Sequence, residues 1–263
     1  MITVDLAALR RKVAAIGKAG DRESERLRTA FTFGFSGIDN FLGGGLQCGA
    51  LHEVFAGETG DSAAATGFVT ALAMRAGENA RPVLWLEEDF ARREHGGLYA
   101  PGLAAMGFDP RHLVIVRCPT ARDVLKAASD VLEVREIGAV VLASWSDPKC
   151  LDLTATRRLL LGAQQSDVPA FMLRLGGVPS ESAAMTRWQV RSAPSRSGSA
   201  NAPGKPAFDV ALLRNRQGTT GRWFMEWNGD EHVFRQLETV SGRMVSPPSH
   251  GQASAGYSTS GRF

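Results

Sequence analysis

The chain has 263 residues, 44% of them hydrophobic and 22% charged, with a formal net charge of +3. That is enough apolar content for a packed core in one large or two small domains, and the mild basic balance allows a polyanionic partner without requiring one. No apolar run reaches membrane length and no signal-peptide pattern opens the chain; three cysteines (Cys48, Cys118, Cys150) without metal-like spacing exclude a disulfide framework and suit a reduced cytoplasm.

Residues 5–16 read as a short helix on which Leu6, Leu9, Val13 and Ile16 recur at spacings of three and four. So short a helix needs a docking surface, either on its own domain or on a neighbouring molecule. Residues 17–29 are polar and charged and read as a linker. The core is expected from about Phe31 to 240, and 241–263, rich in Ser and Gly and without periodicity, reads as a disordered tail. Within the core, Ser36 is expected to cap a short helix that ends at Gly43-Gly44-Gly45, where positive φ is easily adopted. Leu51–Phe55 is a buried strand, and Ser62–Arg75 a helix with Asp61 as its cap. Strands at Pro82–Leu86, His112–Val116, Ala139–Leu142 and Ala170–Leu175 alternate with helices at about Leu98–Met106, Ala121–Val134 and Leu151–Gln165. Such alternation predicts a mostly parallel sheet with helices on both faces. After a segment at Ala183–Arg191 that could be helix or strand, short strands at Phe208–Leu213, Arg222–Trp227 and Glu231–Arg235 predict an antiparallel meander, with Asn228-Gly229 as a hairpin signal. The fold class is α/β.

One stretch carries the most chemical information. The strand Leu51–Phe55, the loop Ala56-Gly57-Glu58-Thr59-Gly60-Asp61-Ser62-Ala63 and the helix behind it have the layout of a phosphate-binding P-loop, in which backbone amides and a helix N-terminus hold phosphate. The motif needs Gly, four residues, then Gly-Lys-Ser/Thr; those places hold Ala56, Asp61, Ser62 and Ala63. No lysine occurs between Lys18 and Lys126. The lost ammonium takes with it charge-assisted bonds well above ~1 kcal/mol each, and a carboxylate at Asp61 would repel a second anion at the helix start. The five histidines show neither metal spacing nor a nucleophilic constellation, and no cofactor is expected.

Ser36–Asp39, Gly43–Leu46, Gly49 and Leu51–Phe55 resemble the segment that enters the ATP site of RecA-type recombinases, and the resemblance runs from about Phe31 to Leu237. It implies a RecA-like P-loop NTPase core. Against that pattern the strand Val140-Val141-Leu142-Ala143 carries Ala143 where a metal-organising Asp belongs. A RecA-like chain of this size that lacks both sites, with an amphipathic N-terminal helix and a Ser/Gly-rich tail, is similar to the ImuA family of inducible mutagenesis proteins, also described as SulA-related.

The resemblance implies a non-catalytic adaptor, a pseudo-ATPase, in SOS-induced error-prone translesion synthesis. Its implied partners are an ImuB-like Y-family polymerase homologue, RecA and a DnaE-type polymerase, with homo-oligomerisation open. It also places a vestigial water-orienting glutamate at Glu88. Arg214-Asn215-Arg216 matches a basic triplet that in RecA reaches a neighbour's ATP site, which together with the stripe Leu6, Leu9, Val13 and Ile16 gives the expected partner-binding residues. Arg187, Trp188, Arg191 and Arg196 lie where RecA-like loops contact DNA, and positive residues beside an aromatic hold single strands by charge and stacking. But the first such loop is shortened to Ser144–Leu151 and the second reduced to Gly176–Ser182 or displaced into the Ser/Pro/Gly-rich stretch, so direct DNA binding is expected to be weak or absent. The other classes are a divergent ATP- and DNA-binding ATPase and a SulA-like cell-division inhibitor.

Overall fold

The computed structural model describes residues 30–78, 80–195 and 204–237. The N-terminal stripe, Arg196 and the expected tail lie outside these residues. The core is a 9-stranded sheet in the order β11-β10-β9-β8-β3-β7-β6-β4-β5. The strands are β3 (Leu51–Ala56), β4 (Val83–Glu88), β5 (Leu113–Cys118), β6 (Ala139–Trp145), β7 (Ala170–Leu175), β8 (Thr186–Ser192), β9 (Ala207–Asn215), β10 (Gly221–Asn228) and β11 (Val233–Gln236). Strands β8, β3, β7, β6, β4 and β5 run parallel, and β8 to β11 form an antiparallel meander. This is the α/β architecture, parallel sheet plus antiparallel C-terminal strands, that the alternation predicts. A small ribbon of β1 (Ala30–Phe31) and β2 (Leu46–Gln47) precedes it.

The parallel strands are apolar almost throughout because helices cover both faces. On one face α2 (Ser62–Gly77) packs Phe68, Val69 and Leu72 against Val54, Trp188 and Phe208. On the other, α5 (Ala121–Val131) and α6 (Leu153–Ser166) pack against Leu51, Leu84, Leu142 and Met172. Thr120 caps α5, accepting from Asp123 N–H at 3.3 Å, and Asp152 caps α6, accepting from Ala155 N–H at 2.7 Å. Trp85 and Trp227 are buried, whereas Trp145 and Trp223 are half-buried at the margins.

Several local readings need correction. Ser36 does not cap α1 (Ser36–Phe41); it is the first helical residue, and Asp39 instead folds back to accept from Phe33 N–H (2.7 Å) and Gly34 N–H (3.1 Å). The strand expected to end at Leu86 runs two residues further: β4 continues through Glu88, Glu87 is buried, and α3 (Asp89–His95) starts at once. Gly96-Gly97 then separates α3 from α4 (Ala100–Ala105). The ambiguous segment near Ala183–Arg191 is strand β8, inserted beside β3. The β10–β11 hairpin exists, but its loop spans residues 229–232, and His232, at φ 54°, takes the left-handed position.

Candidate functional site

In a parallel sheet ligands gather at the carboxyl ends of the strands, and here that end carries the 56–63 loop. β3 finishes at Ala56, Thr59–Asp61 forms one tight 3-10 turn, and α2 begins at Ser62. Three of the loop's backbone donors are already engaged. Gly57 N–H donates to Val190 O (2.8 Å), Glu58 N–H to the Asp61 carboxylate (3.1 Å), and Asp61 N–H to Glu58 O (2.9 Å). Asp61 makes no side-chain cap on α2, contrary to expectation. Its second oxygen accepts from both the N–H and the hydroxyl of Ser192, each at 2.9 Å, which ties the loop to the end of β8. Gly57 is a close-approach glycine: a β-carbon there would lie 2.3 Å from Arg191 Cγ and 2.9 Å from Asp61 Oδ2. The Arg191 side chain and a carboxylate therefore crowd the inside of the turn.

The neighbouring strand ends are similarly closed. Ala143 is fully buried within β6, its methyl part of the core beneath α2, and the strand runs two residues further. Glu88, at the end of β4, accepts from Trp145 N–H at 3.2 Å. His95 stacks on the Trp145 ring at 6.2 Å, and burial lowers its pKa. Next to them Glu87 has its pKa raised by burial, against the pull of Arg92 and Arg117. Among the described residues no group of three or more His, Cys, Asp or Glu side chains could hold a metal ion, and no helix is long and apolar enough to cross a membrane.

The expected DNA-contacting set does not form a platform. Trp188 is fully buried, packed against Phe33 and Phe68, with its indole N–H on Thr186 Oγ1 at 2.7 Å, so it has no face to offer a base. Arg187, one strand position earlier, points to the opposite face and pairs with buried Glu53, its Nε 2.9 Å and Nη2 2.8 Å from Oε2. Arg191 lies over Gly57.

The sequence reading missed the network around Glu53. Ser182 donates its hydroxyl to Glu53 at 2.7 Å, and Arg174, itself buried, sits 3.8 Å from the other Glu53 oxygen and pairs with Asp147. Asp147 also accepts from Val178 N–H at 3.0 Å. Together these bonds fasten the helix-free crossover 176–185, which carries the chain from β7 over β3 to β8. The signal was legible: Glu53 and Arg174 are single charges inside otherwise apolar strands, where a charge persists only with a partner. Arg214 and Arg216 lie at the far end of β9, each donating to Ser182 O at 3.2 Å. Thr186 pairs with Asn215 whereas Val190 stands beside Ala56, so the arginine pair is about 13 Å along the strands from the loop and does not serve it.

No protein-family profile matches the chain. Among curated proteins it is 32% identical over 242 residues to Protein ImuA of Caulobacter vibrioides strain NA1000 / CB15N, a match covering 84% of this chain and 94% of that protein, and the same figures hold for Protein ImuA of strain ATCC 19089 / CIP 103742 / CB 15. The chain belongs to the ImuA family. In this member of the family, three features the sequence singled out separately, the altered loop, Ala143 and Glu88, lie at one end of the sheet, and the Arg214–Arg216 pair lies at the other.

Proposed function

We propose that this ImuA-family chain is a non-catalytic RecA-like adaptor in SOS-induced, error-prone translesion DNA synthesis. It binds an ImuB-like Y-family polymerase homologue and RecA, and through them joins a DnaE-type polymerase in the cytoplasm; contact with DNA is left to the partners. The observation that carries the non-catalytic half is that three amides of the loop are already bonded within the protein. Those of Gly57, Glu58 and Asp61 donate to protein oxygens, and Asp61 puts a carboxylate where a phosphate would need to sit. A nucleotide would have to displace those bonds with no lysine to repay the desolvation of its phosphates. Family membership supports the mutagenesis half.

The test is calorimetric titration of the full chain with millimolar magnesium-ATP, run beside co-elution of the chain with its ImuB-like and RecA partners. The expected result is no saturable heat from nucleotide and a stable complex with the polymerase homologue. Saturable, magnesium-dependent binding of ATP would return the chain to the ATPases.

A further inference from the structure

The arginines of the antiparallel half are matched unevenly. Arg187 is paired with Glu53, Arg222 with Asp209 through Nε at 2.6 Å, and Arg235 with Glu231. Arg214 and Arg216 differ. Among the described residues neither has a carboxylate within ion-pair distance, and both guanidinium groups donate to the same neutral acceptor, the carbonyl oxygen of Ser182. Two cations held on one neutral oxygen repel each other, and each retains most of its five N–H donors. Their positions are fixed from the backbone: Arg216 N–H donates to Met185 O at 3.0 Å, and Asn215 Oδ1 accepts from Gln217 N–H at 3.0 Å, locking the turn that follows. Beside them a register shift in the β8–β9 ladder leaves Leu213 out of pairing, 41% exposed.

We infer that Arg214 and Arg216 form a carboxylate clamp for an acidic segment of a partner protein, with Leu213 as its apolar contact. The inference rests on the adaptor reading and names the chemistry that one of its surfaces recognises. Guanidinium forks match carboxylates two bonds at a time. Arg214 lies one residue before the end of β9 and Arg216 just past it, and their guanidinium groups converge on one carbonyl oxygen, which suits two acidic residues on one side of an extended peptide. Nucleic acid fits less well. A phosphate backbone is held by a continuous basic track with stacking aromatics, whereas here Arg187 is already neutralised, Trp188 is buried, and exposed Glu181 lies on the adjoining crossover.

The test uses the full chain and fluorescence anisotropy with a labelled dodecapeptide of alternating Glu and Leu, its Gln/Leu counterpart, and a 20-nucleotide oligothymidylate. The Glu/Leu peptide is expected to bind, and the Gln/Leu peptide at least tenfold more weakly. R214A/R216A should lose at least tenfold and R214K/R216K less, with melting temperature unchanged. R216A alone, at an exposed position, should weaken binding even if the double variant folds poorly. Peptide binding unaffected by R216A and R214A/R216A, no binding by the wild type, or preference for the oligonucleotide would each overturn the clamp. Capture of the ImuB-like homologue is measured alongside: capture by wild type with no peptide selectivity removes the clamp and leaves the adaptor, whereas selective peptide binding without capture leaves the clamp and removes that partner.

Discussion

Asp61 shows how one side chain can redirect a motif. A glycine-containing turn ahead of a helix presents inward-pointing amides that require an acceptor. Here the acceptor is supplied from within the same turn, and the remaining carboxylate oxygen is spent on Ser192. Asp61 is nearly buried while Glu58 and Ser192 are exposed, so removing the carboxylate deletes three charge-assisted bonds at the surface of the fold. Asp61→Ala is therefore expected to destabilise the fold by about 2 kcal/mol, within the range for hydrogen bonds to a charged group. Ser192→Ala, which deletes only the hydroxyl bond and leaves the backbone one, should lose about 1 kcal/mol or less. Urea-denaturation midpoints at pH 7 measure both. Equal midpoints for Asp61→Ala and the parent would mean that the carboxylate bonds contribute nothing. The substitution should not create nucleotide binding either, because the lysine and the metal-organising carboxylate are still missing.

Among the elements, the parallel strands were legible because each is a short apolar run, and the helices because caps such as Thr120 and Asp152 announce them. Strand β8 was not. Its sequence Thr-Arg-Trp-Gln-Val-Arg-Ser alternates as a strand should, but Arg187 is half-buried only by virtue of Glu53, on a strand more than a hundred residues earlier. A pattern of local hydrophobicity does not register a charge whose partner is distant in the chain. The same limit makes Asp61 read as a simple helix cap, since its partner Ser192 is also distant in the chain, whereas Trp188 is assigned to a DNA-contacting loop by the resemblance alone. The Glu53 network also makes a prediction about the crossover 176–185, the one βαβ-type connection of the sheet whose helix is missing. Glu53→Ala leaves Arg174 and Arg187 without their shared carboxylate in a buried site, and breaking such a pair from one side typically loses about 3–5 kcal/mol. Hydrogen exchange should then accelerate first in 176–185 and in β8, before it does in β4 or β6. Uniform acceleration across the sheet would show that the network stabilises the fold without specifically holding the crossover.

At the scale of the molecule, the meander β8 to β11 joins the rest of the sheet where β8 lies beside β3, and His52 is a rivet in that seam. Its ring is wholly buried, with Nδ1 2.7 Å from Thr186 Oγ1 on β8 and Nε2 2.9 Å from Gln47 O on β2. The carbonyl can only accept, so Nε2 carries the proton, and Nδ1 accepts the threonine hydroxyl, leaving Thr186 Oγ1 to accept the Trp188 indole N–H. A second proton on the ring would turn the Nδ1 acceptor into a donor and put a charge in the core. Burial accordingly lowers the His52 pKa from 6.5 to about 4, the bond to Gln47 opposing that shift. Because the folded pKa lies below the unfolded one, the unfolded chain binds the proton first as pH falls. The stability this neutral ring contributes is present above pH 6.5 and declines between there and about 4, by about 1.4 kcal/mol per pH unit and about 3 kcal/mol in all. Denaturant midpoints measured from pH 7 to pH 4.5 should fall along that slope, and in His52→Gln most of the slope should vanish although the midpoint at pH 7 is lower. Part of it should persist, since burial shifts His95 in the same direction. A His52→Gln profile parallel to the parent's would mean that the ring is protonated as readily in the fold as out of it, and the seam would then need another origin for its acid sensitivity.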